Sequence, residues 1–327
     1  SYAKILIEKD GLQMHIELLK LSPVVKDYIW GGKKLNSVWN KVGSEKIAET
    51  WELSLHPDGL TKVENETYNG KTLKEILESL PIESSVGKSS ALFPMFPMII
   101  KLLDTNAQLS IQVHPKDDYA HKHENQFGKN EAWYILDAEP NAGVYLGFKE
   151  KVSKEQVRKS IEDGTLLDLM QFYPALPGSV FYIPAGTVHT LGAGLTVAEI
   201  QQNSNVTYRL FDFNRPGKDG KPRELHIEKA LEVANLNPYD VAIPKIEKKS
   251  IRLLATDRYF NVKEITSSGV YKRKIEDSFC TILFLEGSGE ITDSMVNFNF
   301  KKGDTYFVAA GLPFKITGDA RFLEVSV

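Results

Sequence analysis

Four residues in three separated segments have the types and spacing to hold one metal ion. The segments are Gln112 and His114 in Ser-Ile-Gln-Val-His-Pro (110–115), Glu131 in Lys-Asn-Glu-Ala-Trp-Tyr (129–134) and His189 in Pro-Ala-Gly-Thr-Val-His (184–189). Alternate side chains of an extended strand face one side, so Ser110, Gln112 and His114 would share a face. Imidazole, carboxylate and amide donors without thiolate suit zinc and also tolerate iron, cobalt, nickel or manganese. The spacing predicts a mononuclear site and leaves the metal open.

Each of these residues has a simpler interpretation when it is taken alone. A single His on a strand is more often a hydrogen-bonded structural residue than a metal ligand. Glu131 is harder to explain in that way, because it precedes the apolar residues 133–136. A carboxylate in such surroundings is costly unless a cation balances its charge. Glu131 is therefore the strongest reason to group the four residues.

Strand patterns dominate the elements that must position these residues. β-Branched and aromatic runs recur at short intervals between Gly, Pro, Asn and Asp, as an antiparallel barrel requires. Helices are predicted after Thr72, after Ser153 and over residues 224–236. Glu75 and Gln156 complete capping boxes at the first two. The predicted fold class is mainly β, with a few flanking helices.

An internal repeat indicates two barrels. Residues 176–189 can be laid over residues 301–314. Both copies place one glycine eight residues before another, Gly178 and Gly186 in the first copy and Gly303 and Gly311 in the second. Three residues after the second glycine stand His189 and Phe314, respectively. The second barrel is therefore predicted to bind no metal.

Length and composition narrow the class of protein. A chain of 327 residues is long for one core, so two or three domains or one large barrel-based unit are expected. Lys and Arg number 40 against 43 Asp and Glu, which argues against nucleic acid as a general partner. The single cysteine, Cys280, excludes a disulfide framework. The longest apolar stretch, residues 91–103, contains two prolines and a lysine and falls short of the roughly 20 residues that a membrane span needs. We predict a cytoplasmic protein without a membrane partner.

The first copy of the repeat resembles the second motif of the cupin jelly-roll family, through Gly178, Pro184, Gly186 and His189. This resemblance implies two cupin-type jelly-roll β-barrels and favours His189 as a ligand, but it does not define a reaction. Three domains are predicted. Residues 1–13 are an N-terminal extension of uncertain origin, and residues 14–240 are a metal-binding cupin domain with a small helical insertion near 150–172. Residues 241–327 are a C-terminal barrel without metal ligands. Residues 1–13 lack the pattern of a signal peptide.

A wider set of motifs resembles the type I mannose-6-phosphate isomerase family in its compact bacterial form. The motifs are Tyr-Ile-Trp-Gly-Gly (28–32), Ala-Glu-Thr-Trp-Glu-Leu-Ser-Leu-His-Pro (48–57), Lys101 before Leu-Ser-Ile-Gln-Val-His-Pro (109–115), Lys-Asn-Glu (129–131), His189, and Glu199 ten residues before Arg209. The resemblance extends from about residue 18 to the C terminus. It implies interconversion of mannose 6-phosphate and fructose 6-phosphate by proton transfer between C1 and C2 through a cis-enediolate.

The resemblance also implies roles for individual residues. Gln112, His114, Glu131 and His189 are the expected ligands of one Zn²⁺ per chain, which would contact O1 and O2 of the sugar directly or through water. Arg209 aligns with the family's essential arginine, whose planar fork suits a phosphate or an enediolate. The expected substrate-binding residues are Ser110 and Lys101 at the phosphate, Trp30 as a wall of the sugar pocket, and Glu49.

The base that moves the proton stays open. Lys129 matches a family lysine beside the zinc-binding Glu, and a metal cation nearby would favour its neutral form. Many relatives carry a His just before that lysine, and Gly128 stands there in this chain. Glu199, His56 and Glu49 therefore remain as alternatives for the base.

Two other classes of protein compete with the isomerase as interpretations of these residues. A cupin that binds a sugar or sugar phosphate without turnover would explain the metal ligands but not Lys129, Glu199 and Arg209 together. An iron-dependent cupin oxygenase is disfavoured by the amide ligand Gln112 and by the candidate phosphate-binding residues. The absence of a coiled-coil heptad favours a monomer. The direction of the reaction in the cell is not encoded in these residues.

Overall fold

The computed structural model describes residues 4–8, 11–68, 70–217, 219–240, 246–247 and 249–327. The prediction for residues 1–13 falls in part outside the described residues, and so does the start of the predicted C-terminal domain at residues 241–245. Within the described part of the chain, the protein is mainly β, as predicted from the strand patterns.

Short strands alternate with turns along the chain, because apolar runs are interrupted at short intervals by glycine, proline, asparagine and aspartate. In chain order the strands are β1 (Lys4–Glu8), β2 (Gly11–His15), β3 (Leu19–Ser22), β4 (Val24–Lys26), β5 (Glu49–Leu53), β6 (Lys62–Val63), β7 (Met98–Thr105), β8 (Ile111–Val113), β9 (Glu131–Ala138), β10 (Gly143–Phe148), β11 (Met170–Pro174), β12 (Val180–Ile183), β13 (His189–Leu191), β14 (Leu195–Gln202), β15 (Tyr208–Phe211), β16 (Ile251–Thr256), β17 (Asn261–Ser267), β18 (Val270–Arg273), β19 (Cys280–Thr292), β20 (Asn297–Lys301), β21 (Thr305–Val308) and β22 (Phe314–Ser326).

Two antiparallel sheets form a sandwich, here called the central sandwich. The six-stranded sheet has the order β12-β9-β14-β7-β5-β4, and the five-stranded sheet has the order β11-β10-β13-β8-β15. Residues of both sheets, among them Trp133, Leu146, Phe181 and Val197, share one buried cluster. Strands β7 and β14 are buried along their whole length, so the middle of the six-stranded sheet lies inside the protein.

A nine-stranded antiparallel sheet, here called the C-terminal sheet, contains β16 to β22. Its two longest strands, β19 and β22, pair along almost their whole length. The early strands β3 and β6 extend the same sheet through the pairing of β3 with β21. Sheet membership therefore crosses residue 240, and the division of the chain at that residue stays a prediction.

The helices are short and lie between strands. They are α1 (Lys34–Ser37), α2 (Leu73–Glu78), α3 (Ile82–Ala91), α4 (Asp117–Glu124), α5 (Lys154–Glu162), α6 (Leu166–Leu169) and α7 (Ile227–Val233), with one 3₁₀ turn at Glu66–Tyr68. Both predicted capping boxes are present at α2 and α5. Helix α7 is shorter than the predicted 224–236, because its N-cap His226 makes no side-chain capping bond and Ala234 is extended. Within the described residues, no helix is both long and apolar enough to cross a membrane.

Candidate active site and metal centre

Three of the four predicted metal ligands converge in the central sandwich. His114 follows β8, Glu131 begins β9 and His189 begins β13, and one donor atom from each lies within 4.8 Å of the other two. All three side chains are buried. His189 Nε2 lies 3.1 Å from Glu131 Oε1, and His114 Nε2 lies 3.6 Å from Glu131 Oε2. The structure thus places side chains from three segments around one point.

Backbone carbonyls orient both imidazole rings. The Nδ1 atom of His114 is 2.8 Å from the Val206 carbonyl oxygen, and that of His189 is 2.8 Å from the Thr187 carbonyl oxygen. Each Nδ1–H can donate to its carbonyl, which leaves Nε2 with a lone pair aimed at Glu131. This outer hydrogen bond is the usual arrangement of a metal-binding histidine.

The donor set has unsatisfied polar atoms that fit a cation. Among the described side chains, both Glu131 oxygens and His189 Nε2 are buried without a hydrogen bond of good geometry. Lys129 Nζ provides positive charge 3.0 Å from Glu131 Oε2 and bonds His114 Nε2 at 3.2 Å. Buried acceptors without donors are costly. His114, Glu131 and His189 therefore form a cluster that could hold a metal ion.

The electrostatics keep the cluster in its ligand form. Burial opposes ionisation of Glu131, but Lys129, His189 and His114 outweigh burial and hold the pKa of Glu131 well below its usual range. Burial, with the charge of Lys129, lowers the pKa of His114 well below its usual range. A carboxylate and a neutral imidazole are the forms that bind a metal ion.

Gln112 stands in a row of three residues across the five-stranded sheet. It pairs with His189 on β13 and with Arg209 on β15 in the antiparallel register. The row therefore joins the candidate metal ligand His189, the predicted amide ligand Gln112 and the predicted catalytic residue Arg209. The assignment of Gln112 as a ligand stays a prediction.

A polar cavity of about 270 Å³ lies beside the cluster. Eight of the twelve predicted site residues line it: Trp30, Glu49, Lys101, Ser110, Gln112, Lys129, Glu199 and Arg209. Three of the remaining four are the buried cluster itself. The predicted metal-binding and substrate-binding residues are therefore adjacent in space, although they are spread over 180 positions of the sequence.

One end of the cavity is acidic. Lys101 Nζ lies 3.5 Å from Glu49 Oε2 and 3.3 Å from Glu199 Oε1, so two carboxylates share one ammonium group. Burial lowers the pKa of Lys101, but the two carboxylates outweigh burial and raise it above its usual range. The indole N–H groups of Trp51 and Trp133 donate to Glu49 and Glu199, respectively. These contacts fix both carboxylates at the wall of the cavity.

The other end of the cavity is basic. Arg223 donates two hydrogen bonds to Asp212, of 2.7 and 2.6 Å, and Arg215 donates another to the same carboxylate at 2.6 Å. Arg209 contacts the Ser110 hydroxyl at 3.3 Å and the Glu224 carbonyl oxygen at 2.8 Å. Burial and the nearby Arg223 lower the pKa of Arg209. Three guanidinium groups, with Asp212 and Glu224 as the neighbouring carboxylates, leave an excess of positive charge at this end.

His56 is the predicted catalytic residue that the structure does not bring to the cavity. The chain leaves the six-stranded sheet after Leu53, and the His56 ring turns to Gln126, 3.1 Å from its Nε2 atom. Its Nδ1 atom accepts a hydrogen bond from the Asp58 backbone. Both ring nitrogens are therefore engaged outside the cavity lining.

Four polar lining residues were not among the predicted site residues: Tyr28, Asn205, Thr207 and Arg223. Tyr28 stands in the motif 28–32, and Asn205 and Thr207 lie four and two residues before Arg209. Their proximity in sequence to Trp30 and Arg209 was therefore a usable signal. Burial, with the charge of Glu49, raises the pKa of Tyr28 to about 12. Its hydroxyl therefore stays protonated near neutral pH and can donate a hydrogen bond. Arg223 had no local signal.

Known proteins are similar to this chain over nearly its whole length. A family model described as phosphomannose isomerase type I, catalytic domain, matches residues 18–148. The chain is 36% identical over 313 residues to mannose-6-phosphate isomerase ManA of Bacillus subtilis, a match that covers 94% of this chain and 98% of that protein. It is 34% identical over 292 residues to the mannose-6-phosphate isomerase of Streptococcus mutans, covering 88% and 91%.

Solved structures show the same architecture. The crystal structure of mannose 6-phosphate isomerase from Bacillus subtilis superposes with a TM-score of 0.85 and 34% identity, over 95% of this chain and 99% of that chain. A putative mannosephosphate isomerase from Archaeoglobus fulgidus gives a TM-score of 0.76 at 20% identity, over 94% and 97%, and shows similarity of fold alone. The cupin-type, mainly β fold predicted from the sequence is confirmed.

Proposed function

Because the chain belongs to the type I phosphomannose isomerases, an enzyme family, we propose that it interconverts mannose 6-phosphate and fructose 6-phosphate. One observation carries this proposal. A single cavity has a buried cluster of metal-ligand type beside it, a pair of carboxylates at one end and Arg209 and Arg223 at the other. A hexose phosphate needs these three environments at its reacting carbons, its hydroxyls and its phosphate.

We propose that His114, Glu131 and His189, with Gln112 as the fourth ligand, hold one Zn²⁺. Two imidazoles, a carboxylate and an amide oxygen match the preferences of zinc, and the unsatisfied Glu131 oxygens fit a cation. When bound, the ion would supply positive charge that polarises the sugar oxygens at C1 and C2. The Glu131 carboxylate would hold that charge close to the cavity.

The basic end of the cavity is the proposed phosphate site. Arg209 and Arg223 line the cavity there, and the Ser110 hydroxyl lies beside Arg209. Guanidinium groups bind phosphate oxygens well. Asp212 holds the Arg223 guanidinium in place through its Nε and Nη2 atoms. Lys101, the other sequence-based candidate, is already paired with two carboxylates. Its charge is better suited to orienting Glu49 and Glu199 toward sugar hydroxyls.

The isomerisation moves one carbon-bound proton. In the open-chain aldose, the C2–H bond breaks and its electrons form the C1=C2 bond of a cis-enediolate, while O1 takes up negative charge. Transfer of the O2 proton to O1 and return of the first proton to C1 give the ketose. We propose Lys129 as the base, because it lines the cavity and lies within 3.2 Å of the metal cluster. Glu199, at the acidic end, is the alternative.

Phosphate binding far from C1 and C2 contributes to the rate by fixing the reacting carbons. Arg209 and Arg223 would hold the phosphate, and Trp30 would cover one wall of the sugar. This division of roles predicts that the arginines affect turnover without affecting metal content.

The direct test is conversion of mannose 6-phosphate to fructose 6-phosphate by purified protein. Turnover is measured as isolated, after removal of metal with a chelator, and after zinc is added back. Activity that disappears with the metal and returns with zinc supports the proposal. One bound zinc per chain without turnover would instead support a protein that binds sugar phosphate without converting it. Turnover that survives complete metal removal would contradict the proposed metal role.

A further inference from the structure

The segment 128–130, which carries Lys129, is tied to the C-terminal sheet. The turn 257–260 between β16 and β17 bonds Asn130 of this segment directly, and it reaches Gly128, on the other side of Lys129, through Asp117. We propose that Asp257 and Tyr259 are positioning residues that hold Lys129 and Glu131 in catalytic geometry. The proposal rests on the function proposed above. It assigns the C-terminal sheet, which lacks the metal cluster, a role in positioning the catalytic groups.

The first tie runs through Asp257 to Asn130. Asn130 Nδ2 donates to Asp257 Oδ2 at 3.0 Å, and the Tyr182 hydroxyl donates to the same oxygen at 2.6 Å. Asn130 Oδ1 in turn accepts a hydrogen bond from the Ala185 backbone at 2.8 Å. The Asn130 backbone N–H donates to Gln202 Oε1 at 2.7 Å. Every polar group of Asn130 named here has a fixed partner, so the residue between Lys129 and Glu131 has little freedom.

The second tie runs through Tyr259 to Gly128. The Tyr259 hydroxyl donates to Asp117 Oδ2, and Asp117 Oδ1 accepts from the Gly128 backbone at 2.8 Å and from Gln202 Nε2 at 2.9 Å. Tyr259 is buried between Phe93 and Phe127. A Cβ atom at position 128 would lie 2.6 Å from the Asp117 backbone nitrogen, so glycine permits this close approach. Gln202 bonds both Asp117 and Asn130 and joins the two ties.

Lys129 lies between these anchored neighbours. Its backbone N–H donates to the Pro115 carbonyl at 3.1 Å, and its ammonium group reaches Glu131 and His114. A buried lysine held this way has one position relative to the metal cluster. Loss of either tie would loosen the segment without removing any group that touches substrate. Such outer contacts tune catalysis through the groups they orient.

A second contact between the same two units serves as a matched control. The Tyr134 hydroxyl, on β9, donates to Glu264 Oε1 on β17 at 2.5 Å. This bond also joins the central sandwich to the C-terminal sheet, but the Tyr134 hydroxyl bonds no residue of the segment 128–130. Tyr134→Phe and Tyr259→Phe each remove one buried hydroxyl, so they cost comparable stability. Only Tyr259→Phe should also lower kcat.

The experiment compares the wild type with Asp257→Ala, Asp257→Asn, Tyr259→Phe and Tyr134→Phe in the full chain. It measures kcat and KM for mannose 6-phosphate, the rate at which a colorimetric chelator removes zinc from loaded protein, and Tm. We expect Asp257→Ala to lower kcat and to speed zinc loss by about tenfold each, with KM unchanged. Asp257→Asn keeps an acceptor oxygen for Asn130, so it should recover most of both losses.

Tyr259→Phe should show a smaller loss of kcat than Asp257→Ala, while Tyr134→Phe should lower Tm alone. The proposal is overturned if Asp257 and Tyr259 variants lower Tm but keep wild-type kcat and zinc loss, as in the control. If Asp257→Ala does not fold, Asp257→Asn and Tyr259→Phe decide the question. A wild type without turnover would contradict the proposed function instead, and zinc loss would then test the positioning role alone.

Discussion

Residues 178–189 contain β12 and end after the turn before β13, and residues 303–314 contain β21 and end after the turn before β22. The two segments share a backbone pattern and differ in their side chains. All four of their glycines have positive φ, 90° and 93° at Gly178 and Gly186 and 88° and 73° at Gly303 and Gly311. Each turn is followed by the first residue of a strand, His189 in one case and Phe314 in the other. The glycines preserve the backbone of the turn in both copies. The side chain three residues after the second glycine, His189 or Phe314, differs between the two interiors.

The interiors differ accordingly. His189 faces Glu131 and the second imidazole, with polar atoms that lack hydrogen bonds. Phe314 is buried beside Tyr271, within a core that also holds the stacked pair Phe284 and Phe300 at 3.8 Å. A duplicated scaffold can therefore keep its stability function in one copy while the other copy retains a costly polar cluster.

Two buried carboxylates, Glu264 and Glu131, differ in the same way between the two regions. Glu264 in the C-terminal sheet accepts hydrogen bonds from Tyr134, Arg252 and Arg321, each at 2.8 Å or less. Glu131 in the central sandwich has Lys129 as its only nearby ammonium or guanidinium group among the described ion pairs. Protein donors satisfy Glu264, whereas Glu131 still has room for a cation. This difference separates a structural carboxylate from a candidate metal ligand.

The largest expected effect comes from making the first turn like the second. His189→Phe should remove the bound metal and lower kcat/KM by about 10³-fold or more, because a ligand and its lone pair are lost. His114→Ala and Glu131→Ala should likewise lose metal and activity together. Metal content by mass spectrometry and the isomerase assay check this. The reverse change, Phe314→His, should bind no metal, and full activity in His189→Phe would contradict the ligand assignment.

The next largest effect is on stability. Phe314→Ala should lower the free energy of unfolding by about 3–5 kcal/mol, because it leaves a cavity in an aromatic core. Urea unfolding measures this loss, and metal content should stay as in the wild type. Loss of metal in Phe314→Ala would show that the second turn contributes to a metal site after all.

Substitution of one arginine in each region should separate an effect on activity from an effect on stability. Arg209→Ala should keep its metal and lower kcat/KM by about 10²-fold, since the proposed phosphate contact is lost. Arg321→Ala should keep kcat/KM and lose about 1–2 kcal/mol of unfolding free energy, since Glu264 loses one partner. Steady-state kinetics and urea unfolding of both variants are needed. Full activity in Arg209→Ala would rule out its proposed role.

The smallest effect concerns pH. Burial raises the pKa of Glu264, but Tyr134 and Arg321 outweigh burial and hold it below the ordinary value of 4.5. A carboxyl with a lowered pKa stabilises the fold above its ordinary pKa, and this contribution is lost as pH falls through the folded value. The urea midpoint of Glu264→Gln should therefore fall less steeply below pH 4.5 than that of the wild type. Parallel pH profiles would refute the claim.

Helix caps and turns were predictable from the sequence, because they depend on contacts between neighbouring residues. Thr72 and Ser153 begin helices with capping boxes, and the repeated glycines mark turns, because these features need only neighbouring residues. The three-residue metal cluster was also predictable, since His114 and Glu131 belong to short strand motifs that are recognisable without the fold. The buried Cys280 likewise follows from its apolar run.

Distant contacts that no motif marks were not predictable. Arg223 reaches the cavity because an isolated bridge between Pro216 and Pro222 turns the chain back, which no periodic pattern in that polar segment indicates. His56 turns away because its strand ends at Leu53, three residues earlier. The pairing of Lys101 with Glu49 and Glu199 required three neighbouring strands in register.

The row of His189, Gln112 and Arg209 across β13, β8 and β15 has a consequence for substrate length. Two interstrand spacings separate the ends of the row, so the Cα atoms of His189 and Arg209 lie about 10 Å apart. Backbone hydrogen bonds hold this spacing, and it cannot stretch to fit a ligand. We expect the sheet to select by length: a sugar phosphate with a shorter carbon chain would contact the candidate metal cluster or Arg209, but not both.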